Sequence, residues 1–307
     1  MLSRIAESLF WIGRYVERAD GTARIVDVLR LQLLEDPGAD EHQTAATVLS
    51  SVMGMPTDGE ATFATVGDLL VFDRGNPSSI SGAWHAAREN ARRTRETLST
   101  ELWETINTTW HRWRSMGRHA VTERHLSWVR ERAALVNGIA DSTMSHDDAW
   151  DFLVLGRALE RADMTARLVA NGGLHSRGPS WSTVLSSCGA AQAFTRSQRG
   201  LLTDHRAAAF LVLDREFPRS VCFALAEAER RLMALSPEAA RIGVSDEARR
   251  QLGRIRTSLE YRSTSEILAD LPAQMLRVQA AITAASEAIA AKYFQAGPVL
   301  SWTEELV

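Results

Sequence analysis

Cysteine is nearly missing from the 307 residues: only Cys188 and Cys222 occur, both in the second half and in no C-x-x-C spacing. That argues against a disulfide framework or a zinc knuckle and fits a reducing cytoplasm. Proline is scarce at 8 residues, and hydrophobic residues at 45% with charged residues at 24% give the balance of a globular chain rather than a disordered one. No run of about 18 apolar residues exists, so no membrane span is expected. The opening stretch is interrupted by Arg4, Glu7 and Arg14 and lacks the unbroken apolar segment of a secretory signal. An excess of positive charge is also lacking. The 35 basic and 38 acidic side chains leave a formal net charge of -3, which argues against nucleic acid and anionic lipid as partners.

Several chemical signatures are absent as well. There is no phosphate-binding Gly-x-x-x-x-Gly-Lys-Ser/Thr loop, no Gly-x-Gly-x-x-Gly and no nucleophile elbow. None of the eight histidines has a glutamate three residues before it, so the Glu-x-x-His pairs of di-iron bundles are missing and no metal site is expected. Cys188 and Cys222 lie in apolar helical contexts that predict buried thiols. Alternation of β-branched and polar residues never lasts beyond a few positions, so strands are not expected.

What the chain does contain is helical periodicity. From Leu2 to Leu34, Ile5, Leu9, Ile12, Val16, Ala19, Ala23 and Val26 recur mostly at three- and four-residue steps, predicting one long amphipathic helix that stops at Glu35-Asp36-Pro37-Gly38. Further helices are predicted over 41–54, 60–72, 78–116 (divided or not), 121–141, 146–171, 181–188, 190–201, 206–213, 219–235, 237–268 and 271–295. Asn171-Gly172-Gly173, with Ser176 to Pro179 after it, reads as a stop. Ser236-Pro237-Glu238 reads as a start, with Ser as N-cap and Pro at the first helical position. The nine tryptophans, among them Trp84, Trp103, Trp110, Trp113, Trp128 and Trp150, are expected to fill the core between long helices.

The chain also repeats itself. Gly-Arg-Tyr-Val-Glu-Arg-Ala-Asp-Gly-Thr-Ala-Arg at 13–24 returns as Gly-Arg-Ala-Leu-Glu-Arg-Ala-Asp-Met-Thr-Ala-Arg at 156–167, nine of twelve positions agreeing at an offset of 143. Thr47-Val48-Leu49-Ser50-Ser51 returns as Thr183-Val184-Leu185-Ser186-Ser187, and Leu70-Val71-Phe72-Asp73 with Pro77 and Ser79 as Leu211-Val212-Leu213-Asp214 with Pro218 and Ser220. Three matches in one order, at nearly constant offset, point to two diverged tandem repeats of about 140 residues each. The expected fold is thus all-α, a helical bundle with a first repeat at 1–142 and a second at 143–307. One shared core and two separate lobes are both compatible with the pattern.

On a helix, Arg14, Glu17, Gly21 and Arg24 share one face with Asp20 beside them, and Arg157, Glu160, Met164 and Arg167 repeat the arrangement with Asp163. Such a stripe beside an apolar one has two readings. It is either a buried salt-bridge network that fixes helix packing, or a charged cleft across a pseudo-twofold axis for a polar ligand such as an amino acid or peptide. Ser79 and Ser220 each precede a long helix and are read as N-caps, and the free amides of the second start, with Arg219, also suit a carboxylate or phosphate. The run Ala87-Arg88-Glu89-Asn90-Ala91-Arg92, followed by Glu101-Leu102-Trp103-Glu104-Thr105-Ile106-Asn107, is dense in charge and amides, either a solvated face or a further part of a site.

At these motifs the chain resembles the bacterial Alpha-E family, named for an α-helical domain with a Glu-Arg motif. The resemblance spans essentially the whole chain: the opening Met-Leu-Ser-Arg-Ile-Ala-Glu-Ser-Leu-Phe-Trp-Ile-Gly-Arg-Tyr-Val-Glu-Arg-Ala-Asp, the Ala-Arg-Glu-Asn-Ala-Arg run, Glu-Leu-Trp-Glu-x-Ile-Asn, the Pro-Arg-Ser-Val turn and Tyr293-Phe294. It implies a protein encoded beside, or fused to, a circularly permuted ATP-grasp protein, a ligase type that uses ATP and Mg²⁺ to activate a carboxylate and pass it to an amine. The motif residues carried over are Glu17, Arg18, Glu160 and Arg161, followed by Asp20 and Asp163. The expected role is therefore partnership in amide-bond formation, positioning an amino acid, small peptide or acyl-phosphate intermediate with no ATP site of its own. In that scheme Arg14, Arg18, Arg157, Arg161 and Arg219 hold carboxylate or phosphate, and Glu17 and Glu160 hold an amine or act as general base. Asp20, Arg24, Asp163, Arg167, Ser220, Arg88 and Asn90 are the remaining candidate contacts. The rival expectation is a helical scaffold whose Glu-Arg pairs are structural, and a third is an autonomous hydrolase or transferase, for which no nucleophile motif is present.

Overall fold

The first long apolar stripe forms helix α1 (Ser3–Glu35), and its sequence counterpart forms α7 (Asp148–Asn171). The structure, a computed structural model, describes residues 1–35, 38, 40–53, 61–117, 121–172, 180–197, 203–237 and 243–294. Between the two long helices lie α2 (Glu41–Met53), α3 (Phe63–Val66) continued by a π-helical turn (Gly67–Phe72), α4 (Ile80–Arg93), α5 (Thr100–Ser115) and α6 (Glu123–Thr143). After α7 come α8 (Trp181–Ser187), α9 (Ala191–Ser197), α10 (Asp204–Leu213), α11 (Val221–Leu235), α12 (Glu247–Glu260), α13 (Thr264–Ala269) and α14 (Leu271–Ile289), which runs into a second π-helical turn (Ala290–Phe294). Among the described residues there are fourteen α-helices and no strand. No helix among them is long and apolar enough to cross a membrane.

α1 and α7 are the axis of the molecule. Their partners ascend together, Phe10 beside Gly156, Arg18 on Glu160 and Gly21 on Met164, so the two helices run in the same direction. The crossing is set by two glycines. A Cβ on Gly13 would stand 2.0 Å from the Leu153 carbonyl oxygen, and one on Gly156 would stand 2.0 Å from that of Phe10. Only the absent side chains allow the two backbones to come so near. Around this pair α1 packs against α4 and α6, with α5 on both; α7 packs against α11 and α14, with α12 on both. The buried face continues from Leu9, Val16, Ala23 and Val26 of α1 into Leu155, Leu159, Ala166 and Val169 of α7, one contiguous apolar core.

Most boundaries fall where the periodicity places them, and the exceptions have local causes. The stretch 78–116 is divided, with Thr94 closing α4, a 3₁₀ turn at Arg95–Thr97 and Ser99 capping α5 through a bond from the Leu102 amide. Ser236, read as the N-cap of a new helix, closes the one before it, and residues 238–242, on which that start would stand, lie outside the described residues. Ser236 lies at the C-terminus of α11, its amide donating to Leu232, and proline is common just past a helix end because it cannot continue one. The next helix among the described residues begins at Glu247, where Asp246 accepts from the Arg249 amide, and it ends at Glu260; a Ser263/Glu266 capping box then opens α13. Asp36, Pro37, Glu238 and residues 173–179 of the predicted stops and starts lie outside the described residues, as do 54, 60, 198–201 and 295 at the edges of predicted helices.

Tryptophan use is mixed. Trp84, Trp110 and Trp113 are buried, whereas Trp103, Trp128 and Trp150 are half-buried and pack on the outside of the core. Trp150 is sandwiched, with the His146 ring stacked at 3.9 Å and the Arg231 guanidinium 5.0 Å from its centroid.

Candidate functional site

The Glu-Arg motifs meet where α1 and α7 face each other, one turn beyond the glycine crossing. Glu17 and Glu160 occupy core positions and are 1% exposed, so each carboxylate requires a counter-charge at hand. It comes crosswise. Glu160 accepts from Arg14 Nε at 2.7 Å and from Arg18 Nε and Nη2 at 2.5 and 2.9 Å. Glu17 lies 3.0 Å from Arg161 Nε and 2.6 Å from Arg219 Nη1. The motif arginine of each helix therefore serves the glutamate of the other.

The two halves of this seam differ in quality. Both oxygens of Glu160 receive aligned N–H donors, while the contacts at Glu17 are ion pairs whose N–H groups do not point along the acceptor directions, leaving Arg161 Nε without an aligned acceptor. The difference follows from Arg157, the sequence counterpart of Arg14. It turns outward to Asp141 on α6, at 3.3 Å, instead of inward to Glu17. Arg219, from the turn before α11, takes the vacated place and bridges Glu17 to Asp20.

Outside the glutamates the reciprocity is close. Arg24 Nε donates to Asp20 and Arg167 Nε to Asp163, both at 3.0 Å and both across one helical turn. Thr22 donates to the Ser78 carbonyl at 3.2 Å, and Thr165 donates to the Arg219 carbonyl at 2.8 Å, tying each long helix to the turn before α4 or α11. At those turns Ser79 accepts from the Gly82 amide at 2.8 Å and Ser220 from the Phe223 amide at 3.1 Å; each hydroxyl also donates to a carbonyl, of Asp73 and Asp214 respectively. Ser79 and Ser220 are N-caps, and the Arg219 guanidinium is directed at two carboxylates rather than at the helix start. At the next layer Met164 lies over Gly21, its Cε 2.7 Å from where a Gly21 Cβ would stand.

The electrostatics follow from this geometry. Burial by itself raises the Glu160 pKa, but Arg18 and then Arg14 outweigh it and hold the carboxyl at about 2. Glu17 is likewise pushed up by burial and pulled down further by Arg161 and Arg219. Arg18 and Arg219 are made harder to deprotonate, since the carboxylates beside them outweigh their own burial. Asp163 moves the other way: burial dominates, Arg167 offsets only part of it, and the carboxyl lies above the usual aspartate range. A carboxylate held as Glu160 is held, with two guanidiniums stabilising its charged form, is a weak base. Cys188, buried beside the Arg24 and Arg219 side, is pushed up to about 12 by burial and stays a thiol.

Of the candidate residues, Arg14, Glu17, Arg18, Asp20, Arg24, Glu160, Arg161, Asp163, Arg167 and Arg219 are brought together on the seam, with Arg157 at its edge. Arg88 and Asn90 are placed elsewhere. Arg88 donates to Asn107 on α5 at 3.1 Å and to Glu89 at 2.5 Å, and Asn90 donates to the Ala86 carbonyl at 2.8 Å, so their partners lie on α4 and α5. Missed from the sequence were Asp141, which captures Arg157, and Ser286 on α14, which accepts from Arg14 at 3.2 Å; both come from helices with no motif.

No curated protein and no solved structure matches the chain. Residues 1–294 match the family described as "Alpha-E: A predicted alpha-helical domain with a conserved ER motif". The match covers nearly the whole chain, and the chain belongs to the Alpha-E family.

Proposed function

We propose that this chain is a non-catalytic helical partner of an ATP-grasp ligase in ATP-dependent amide-bond formation, and that its Glu-Arg motifs are the lock holding two repeats, 1–142 and 143–307, in one bundle. One observation carries the choice of a structural role over a catalytic one: each motif glutamate is 1% exposed and faces two arginines, one of them the motif arginine of the opposite helix. Such carboxylates suit register and packing better than proton transfer, as buried polar groups at a helix-helix interface fix which partners pair. The ligase connection is supported by the family to which the chain belongs and by the lack of any phosphate-binding loop of its own. In this reading the ligase supplies the site for ATP and Mg²⁺, and this chain presents the amino acid or peptide to the acyl phosphate.

A positioning role for the seam itself rests on a different observation. Arg18, Arg161, Arg24 and Arg167 keep 16 to 27% of their side chains exposed, so their outer edges are open to a carboxylate or phosphate while their inner edges hold Glu160, Glu17, Asp20 and Asp163 respectively. The test is reconstitution: the purified chain, its neighbouring ATP-grasp protein, ATP, Mg²⁺ and an amino-acid pool, with ADP release and new masses followed. An amide product that needs both proteins supports partnership, and none with either supports neither role. Glu17→Gln that melts lower yet still supports product at a permissive temperature selects the lock. Glu17→Gln that melts normally and makes no product selects the positioning role.

A further inference from the structure

The repeated Thr-Val-Leu-Ser-Ser segments take no part in the seam, yet the fold brings both copies to one place. Between α1, α2, α7 and α8 lies a cavity of about 130 Å³. Thr47 and Ser51 line it from the first copy, and Thr183 and Ser187 from the second. Its apolar floor comes from the later turns of the two long helices, with Ile25 and Leu29 on α1 and Leu168 on α7. Among the described residues no Asp, Glu, Lys or Arg lines it, in contrast to the seam about one turn away along α1.

The polar groups around it are unevenly used. Thr47 donates to the Gln43 carbonyl at 2.8 Å, and Ser51 donates to the Thr47 carbonyl at 2.8 Å while accepting from Asn171 at 2.7 Å, so these hydroxyls are fixed by the protein and Thr47 keeps acceptor capacity. The side-chain amides of Gln32 and Gln43 and the Ser187 hydroxyl have no partner among the described residues. A half-buried amide group, of Gln32, and an exposed one, of Gln43, each able to donate and accept, thus border an apolar hollow into which no charge of the described residues projects. A hollow of this size holds a molecule of roughly the bulk of benzene.

We propose that this cavity, built from both copies of the repeated Thr-Val-Leu-Ser-Ser motif, binds a small uncharged molecule with a branched aliphatic body and a carboxamide-like end. The aliphatic part lies on Ile25, Leu29 and Leu168, and the amide end exchanges hydrogen bonds with Gln32 and Gln43. A charged group is disfavoured because none of the described lining residues neutralises it. The site stands independently of the ligase partnership, since it needs only this chain.

Isovaleramide is the probe, titrated calorimetrically into the full-length protein, with isovalerate and isoamylamine as charged isosteres. Saturable binding of isovaleramide is expected, with both charged isosteres at least about tenfold weaker. Val48→Trp at the half-buried rim and Ser187→Val inside should each abolish it. The melting temperature of each variant is measured first, and Ser187→Val alone decides if Val48→Trp does not fold. No saturable binding, equal binding of a charged isostere, or full binding by the folded filling variants would overturn the proposal.

Discussion

Replacing Glu160 by Gln keeps the shape of the side chain and removes the charge that Arg14 and Arg18 surround. Both guanidiniums then lie in the seam without a counter-ion, and breaking one member of a buried pair costs roughly 3 to 5 kcal/mol. A second route gives a similar figure. Glu160 has a folded-state pKa of about 2 against an ordinary 4.5, a difference equivalent to about 3 kcal/mol. The sign is that of a depressed carboxylate: the stabilisation is fully present above about pH 4.5 and is lost as pH falls through the folded value near 2. Urea unfolding followed by tryptophan fluorescence at pH 7 and at steps down to pH 3 measures both. Glu160→Gln should lose about 3 kcal/mol or more at pH 7 and show a shallower acid dependence than the parent, because the group responsible is gone. A variant within about 0.5 kcal/mol of the parent at pH 7, with unchanged acid dependence, would refute the view that this seam holds the helices together.

The other predictions concern contrasts within the same molecule. Gly13→Ala and Gly156→Ala place a methyl 2.0 Å from a backbone carbonyl that cannot swing away, so each should destabilise by at least about 1 to 3 kcal/mol in thermal or urea melts. Gly138→Ala, with nothing within 4 Å of its Cβ position on α6, should stabilise by about 0.5 to 1 kcal/mol. Arg157→Ala removes a pair to a 43%-exposed aspartate and should change stability by no more than about 1 kcal/mol. Arg161→Ala, which leaves the buried Glu17 with Arg219 alone, should cost more than that. Native Cys188 and Cys222, both buried and both pushed up to about 12, should resist a thiol reagent at pH 8 and react together on unfolding.

Much of the architecture was legible because long helices with one buried stripe leave a strong period. Leu9, Val16 and Val26 predict α1 without reference to its neighbours. Self-comparison found Glu17-Arg18 and Glu160-Arg161 for the same reason: the residues that must match each other are the ones that agree. The crosswise pairing was less legible, because Arg14 and Arg157 each follow a glycine and stand three residues before a Glu-Arg-Ala-Asp motif yet turn opposite ways. What decides between them is Asp141, on a helix without a motif, and Arg219, more than fifty residues away; neither carries a local signal. Ser236-Pro237 reads two ways for a related reason. Proline is favoured both just inside a helix start and just past a helix end, and only the residues beyond it decide between the two.

The layer in which Met164 covers Gly21 bears on what either half is able to do alone. If two copies of the first half met as α1 meets α7, glycine would oppose glycine and leave a hole at the axis; two copies of the second half would bring methionine against methionine. Each half is shaped as the complement of the other and not of itself. Co-expressed as separate polypeptides, the halves should therefore find each other as a one-to-one pair and leave few self-pairs.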